Sequence, residues 1–218
     1  MGTILRKKKL MQYQGIMDIL KEEIASGRLK PGQRLTENQL MERFQLSRNK
    51  AREVLKQLGA DGFVKLTPNI GAVVAEMSQK DIEHSYDLMG VLEGLSARVA
   101  TPYITPQHLE RLRLLMDKME ATKDPSTFLI FNNEFHALIA SLSENDQLIS
   151  ITDNLRIKLR RFGLRALQNP LQIAASRTEH RKVFEAIKDN KPEKAEKAVR
   201  DHHLNAKNRL IKGMNKSL

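Results

Sequence analysis

The sequence predicts a mainly α protein, with an N-terminal winged helix-turn-helix followed by a C-terminal antiparallel all-α bundle of about six helices. Three observations carry this reading. Between residues 11 and 75, three helical stretches precede two short β-prone runs that flank a turn rich in Pro, Asn and Gly. Beyond residue 77 the chain keeps helical periodicity, interrupted by short loops that carry capping residues and prolines. The composition, 40% hydrophobic and 29% charged, is that of a globular chain, and the sequence divides into domains 1–77 and 78–218.

The first helix is predicted over 11–25, where Ile16, Ile19, Leu20 and Ile24 recur at helical spacing, with Arg6–Lys9 ahead of it as a basic arm. Gly27 and Pro31-Gly32 end that helix. Thr36 with Gln39 reads as a capping box, and the short helix behind it is expected to bury Leu40 and Phe44. Ser47 is a second N-cap, followed by Ala51, Val54, Leu55 and Leu58 at i, i+3, i+4 and i+7. Residues 63–66 and 72–75 then form a hairpin around Thr67-Pro68-Asn69-Ile70-Gly71. The bundle helices are predicted at 79–100, 105–122, 126–143, 146–167, 171–189 and 192–214. Ser78/Asp81, Thr105-Pro106, Pro125, Asp146, Pro170 and Pro192 mark their starts.

Charge and composition narrow the chemistry. With 37 Lys+Arg against 26 Asp+Glu, the net charge is +11, which favours an anionic partner such as nucleic acid. Aromatic residues are only 5%, with no Trp, so base-stacking recognition of single strands is disfavoured. The absence of Cys excludes disulfides, thiolate catalysis and Cys-rich zinc sites. No apolar run approaches the ~20 residues of a membrane helix, and the N-terminus has no signal-like apolar core. A cytoplasmic protein without membrane contact is expected.

The helix from Ser47 presents Arg48, Asn49, Lys50, Arg52 and Lys56 away from its apolar stripe. Arg48 and Arg52, four apart, share one face. Such a helix fits the DNA major groove, where Arg bonds guanine O6 and N7 together. The alternative is an ordinary solvated basic face, and the helix-turn-helix order with its wing decides against it. From Ile24 to Val74 the sequence resembles the DNA-binding domain of GntR-family bacterial transcription regulators. The carrying residues are Gly27–Glu37, Leu46-Ser47-Arg48, Arg52–Leu55, Leu58, Gly62-Phe63-Val64 and Pro68–Val74. The resemblance implies DNA contacts from Ser47, Arg48, Asn49 and Arg52, with the wing tip at Gly71 approaching the minor groove. Asn49-Lys50 stands where that family usually has Thr-Pro, a departure that bears on the operator sequence.

In the bundle, His136, His180 and His202 each sit on an apolar helix face: Asn132/Phe135/His136/Ile139, His180/Val183/Phe184/Ile187 and Ala195/Ala198/Val199/His202. They could converge as metal ligands or stand as three separate core histidines. His203, about 100° further round its helix, is expected outside the set. Residues 92–98, 131–136, 143–145, 179–181, 186–187, 189–192 and 202 resemble the FCD ligand-binding domain of the FadR-type branch of the same family. That resemblance implies a divalent metal, zinc or nickel, held by an Asp and three His, at positions matching Asn132, His136, His180 and His202. Asn132 replaces the carboxylate with a neutral oxygen. Met89 stands where many relatives carry an effector-binding Arg and makes the pocket more apolar, while Arg160, Arg161 and Arg165 could supply charge or lie on the surface.

The reading is therefore a homodimeric, sequence-specific DNA-binding regulator. Its helical domain binds a small-molecule effector, such as an organic acid, beside a divalent metal, and its operator is a palindromic double-stranded DNA. It is not expected to be an enzyme. The competing readings are a metal-dependent hydrolase using the His cluster, which lacks an HExxH motif, and a non-specific nucleic-acid binder driven by charge alone.

Overall fold

The computed structural model describes the backbone of residues 2–67 and 71–215, and side chains from residue 13 within those ranges. The chain divides into two compact units at Met77/Ser78. The first comprises α1 (Gly2–Ala25), β1 (Arg34–Leu35), α2 (Glu37–Phe44), α3 (Arg48–Ala60), β2 (Val64–Thr67) and β3 (Gly71–Val74).

α1 begins far earlier than periodicity predicts. The Arg6–Lys9 run is the early part of this helix, not an arm. Leu, Arg and Lys are good helix formers, and no Pro interrupts the stretch. Its packed face is Ile16, Met17, Leu20 and Ile24, whereas Ile19 is 45% exposed. The face is completed by Lys21, buried and paired with Asp61 at 2.7 Å. Thr36 and Gln39 form the capping box: the Gln39 amide donates to Thr36 Oγ1 (3.2 Å) and the Thr36 amide to Gln39 Oε1 (2.9 Å). Leu40 is buried, but Phe44 is only partly so, with the Arg43 guanidinium 4.7 Å from its ring centre. Ala51, Val54, Leu55 and Leu58 are buried on α3 as their spacing requires.

The sheet is antiparallel with order β1-β3-β2, pairing Thr67 with Gly71 and Leu35 with Ala72. β1 was not expected, because two residues are too short to show alternation. Gly71 has φ +95°, a conformation that side chains rarely adopt. The predicted turn residues Pro68, Asn69 and Ile70 lie outside the described residues.

The second unit holds α4 (Gln79–Ala100), a 3₁₀ turn (Thr101–Tyr103), α5 (Pro106–Ala121), α6 (Pro125–Ser141), α7 (Asp146–Leu167), α8 (Pro170–Lys188) and α9 (Pro192–Asn215). Ser78/Asp81 and Thr105/His108 form complete capping boxes. Phe128, Phe135, Leu112, Met119, Val183 and Val199 centre the core. The most extensive helix contact is between α4 and α9, and α8 flanks α9 on a second face. Glycine makes the first approach possible. A Cβ at Gly94 would lie 2.9 Å from Arg200 Cγ and 3.2 Å from the Glu196 carbonyl oxygen, and one at Gly90 would lie 3.4 Å from His203 Cβ. No described helix is long and apolar enough to cross a membrane.

Candidate functional site

Two regions carry chemistry. In the first unit, Ser47 holds the N-cap position of α3 with extended backbone (ψ 156°), yet its hydroxyl makes no capping hydrogen bond. Ser47, Arg48, Asn49 and Arg52 are all exposed on one end of α3. Arg48 and Arg52 converge on a residue that periodicity did not single out. Glu37, at the start of α2, accepts from Arg52 Nε at 2.8 Å, and Arg48 Nε lies 3.8 Å away. The Arg52 guanidinium holds the Glu37 carboxyl below the usual range. An open groove beside this pair runs from Arg34 and Glu37 past Arg52 and Lys56 to Gly71. Of the predicted contact residues, Arg52 and the wing glycine Gly71 border this groove, whereas Ser47, Arg48 and Asn49 lie outside its lining.

In the second unit, His136 of α6, His180 of α8 and His202 of α9 are buried, and a ligand atom from each lies within 4.8 Å of the other two. Their outer nitrogens are all occupied. His136 Nδ1 donates to Glu93 (2.9 Å), His180 Nδ1 to the Ser176 carbonyl (2.7 Å) and His202 Nδ1 to Glu179 (2.9 Å). Each acceptor fixes the Nδ1–H tautomer and leaves Nε2 as a bare lone pair. His136 Nε2 and His180 Nε2 then face each other at 3.1 Å. Two lone pairs repel at that distance. A cation between them removes the repulsion, and two ligands 2.0–2.1 Å from one zinc ion stand roughly 2.9–3.4 Å apart. The donor set therefore fits a divalent metal.

Burial lowers the pKa of all three rings, His202 to about 4 and His180 well below its ordinary value. They are neutral near pH 7, the form a metal needs. Burial alone would raise Glu179, but its bonds from His202 and Arg209 bring it to about 2. Below the unfolded value near 6.5 the unfolded chain takes up protons that folded His202 refuses. The stability held above that pH is lost as pH falls through about 4. The melting temperature of chelator-treated protein is accordingly expected to drop between pH 6.5 and 4; a flat profile there contradicts this assignment.

The larger network was not legible. Glu93 of α4, 3% exposed, accepts from His136, from His203 Nε2 (2.8 Å) and from Arg156 Nη2 of α7 (2.6 Å). Burial pushes Glu93 up, and His136, Arg156 and His203 together pull it well below the usual range. His203 is buried as well and shares the Glu93 carboxylate with His136, while the converging trio remains His136, His180 and His202. Helix α9 is packed by α4 on one side and α8 on another, so residues 100° apart are both interior.

Glu93, His136, His202 and His203 border a cavity of about 100 Å³. Asn132, Met89 and Arg160 line it, as do Arg156 and Arg209, whereas the Arg161 guanidinium stacks on Phe162 at 4.6 Å and Arg165 is exposed. Asn132 is engaged with Asn133 Oδ1 at 3.2 Å. Asn132→Asp should raise divalent-metal affinity by roughly 1–3 kcal/mol through charge-assisted ligation. Calorimetric titration with zinc, nickel and manganese checks it, and equal affinities would place residue 132 away from the ion.

Comparison with known proteins agrees with both units. Residues 12–74 match the gntR family of bacterial regulatory proteins, and residues 84–205 match the FCD domain. The chain is 26% identical to the HTH-type transcriptional regulator YdhC of Bacillus subtilis, covering 87% of each sequence. It is 27% identical to a probable D-xylose utilization operon transcriptional repressor of Paenarthrobacter nicotinovorans, with 88% and 84% covered. It is 28% identical to the gluconate operon transcriptional repressor of Bacillus licheniformis, with 78% and 69% covered. In fold it is similar to E. coli McbR/YncC, with TM-score 0.76, 20% identity, and 93% and 98% of the chains covered. These relatives give the hydrolase reading no support.

Proposed function

This chain belongs to the GntR family of bacterial DNA-binding transcription regulators and carries its FCD domain, and from that premise we propose that a small organic acid, held at a zinc or nickel ion on His136, His180 and His202, controls its operator binding. The carrying observation is the trio of bare Nε2 atoms, each fixed by an acceptor on its Nδ1. A bound ion would supply a positive centre for a carboxylate, and Asn132 would offer a further neutral oxygen. One relative is named for a gluconate operon, and gluconate is a hydroxy acid, which supports this effector class.

The protein acts as a homodimer on a palindromic site. On α4 the side opposite the core exposes Leu88 (55%), Val91 (46%) and Val99 (37%), with Leu92 and Leu95 half-buried between them. That apolar stripe at helical spacing suits a second copy of itself. Ser47, Arg48, Asn49 and Arg52 contact DNA from α3, and Gly71 contacts it from the wing.

Selection of bound sequences from random duplexes should return a two-fold-symmetric site. Arg48→Ala or Arg52→Ala should weaken that site about tenfold to a hundredfold while leaving the second unit's melting unchanged. Unaltered affinity in both variants would remove α3 from the interface. Release or tightening of the selected site by an organic acid only when metal is present tests the control.

A further inference from the structure

The lining of the cavity beside the histidines spans two turns of α6, and its two ends differ chemically. Glu93, His136, His202 and Arg156 stand at one end. Gln172 lies at the other, eight residues before His180 on α8, or about 12 Å along the axis at 1.5 Å per residue. The remaining helices keep the same register. Leu129 on α6 precedes His136 by two turns, and α7 runs from Arg156 to Leu167 in the opposite sense. Between the ends the lining is mostly apolar, with Met89, Leu129, Leu159 and Gly163, and is broken by Asn132, Arg160 and Ser176.

The far end has one unmet demand. Gln172 Oε1 is buried and accepts no hydrogen bond from any described residue, alone among the buried side-chain oxygens and nitrogens described. A buried acceptor without a donor is costly, so a ligand that brings an O–H or N–H gains by filling it. A second carboxylate would set one acceptor against another with no proton between them. Arg209, which also lines the cavity, already gives both Nη atoms to Glu179 (2.6 and 3.0 Å). An ammonium would lose its hydration among Leu167, Tyr86 and that guanidinium. A hydroxyl is left.

Resting on the effector reading above, we infer that the effector is an unbranched carboxylate with a terminal hydroxyl: its carboxylate lies at the histidine end, and its hydroxyl donates to Gln172 Oε1. A six-carbon chain with the two terminal groups, fully extended and hydrogen-bonded at its hydroxyl, is about as long as the two-turn offset along α8.

The test is calorimetric titration of zinc-loaded full-length protein with hexanoate, 6-hydroxyhexanoate and hexanedioate. The hydroxy acid should bind about tenfold more tightly than hexanoate, and hexanedioate more weakly than either. Gln172→Leu should reverse the order of the first two. Gln172→Glu, which keeps the shape and an acceptor, should retain the hydroxyl preference and reject hexanedioate more strongly; circular dichroism confirms that both variants fold. Equal binding of hexanoate and 6-hydroxyhexanoate, a hydroxyl preference that survives Gln172→Leu, or no binding of any probe overturns the inference. Zinc-dependent binding that ignores the hydroxyl overturns this inference and leaves the metal-held effector standing. Binding indifferent to zinc and to His136→Ala removes the metal-held head, and this inference with it.

Discussion

Arg156→Met is expected to destabilise the helical unit by about 3–5 kcal/mol, the usual result of removing one partner from a buried ion pair. The substitution leaves Glu93, 3% exposed, without its guanidinium partner and with only the His136 and His203 rings beside it. Arg156 also pairs with Asp153 at 2.5 Å, but Asp153 is half-exposed and contributes little. Adding Glu93→Gln to Arg156→Met removes the stranded charge and should recover part of the loss, because an amide still accepts from one imidazole. Urea unfolding followed by helical circular dichroism reads both. A loss under about 1 kcal/mol for the single variant would mean that water screens this pair.

Zinc in thousandfold excess over its Kd should raise the melting temperature of the wild type by on the order of 10 °C, from about 4 kcal/mol of linkage. Alanine at His136, His180 or His202 should abolish most of that rise. Alanine at His203 should preserve the rise with affinity reduced by roughly tenfold, because His203 reaches the cluster only through Glu93. Scanning calorimetry with and without zinc distinguishes this from three ordinary core histidines. In that case all four variants lose the same stability whether or not zinc is present.

The convergence of His136, His180 and His202 could be read from sequence because each sits at a core-facing position of a regular helix and shares that face with apolar neighbours. The bundle boundaries were legible for a related reason: Ser78, Thr105, Pro125, Pro170 and Pro192 are local signals that need no tertiary context. Glu93 was not legible as part of the site. It lies 63 residues from Arg156 and 110 from His203, and a Glu within a helix looks like any solvated charge until the partners arrive. The burial of His203 was not legible because one apolar stripe was read on α9, which packs against two helices. Glu37 was missed because its role depends on how α2 crosses α3. The stretch at residues 6–9 was misread because charge was weighed above helix propensity.

The close approach of α4 and α9 has a mechanical consequence. With Gly90 and Gly94 seating one helix against the other, and Glu93–His203, Asp87–Lys207 and Arg98–Glu196 tying them along their length, the two helices cannot slide past each other without opening several bonds at once. They move as a single plank. Any breathing that admits a ligand falls to α6, α7 and α8, which close the cavity from the other side. Deuterium uptake should therefore be slow and concerted across α4 and α9, with the earlier and more graded exchange in α7.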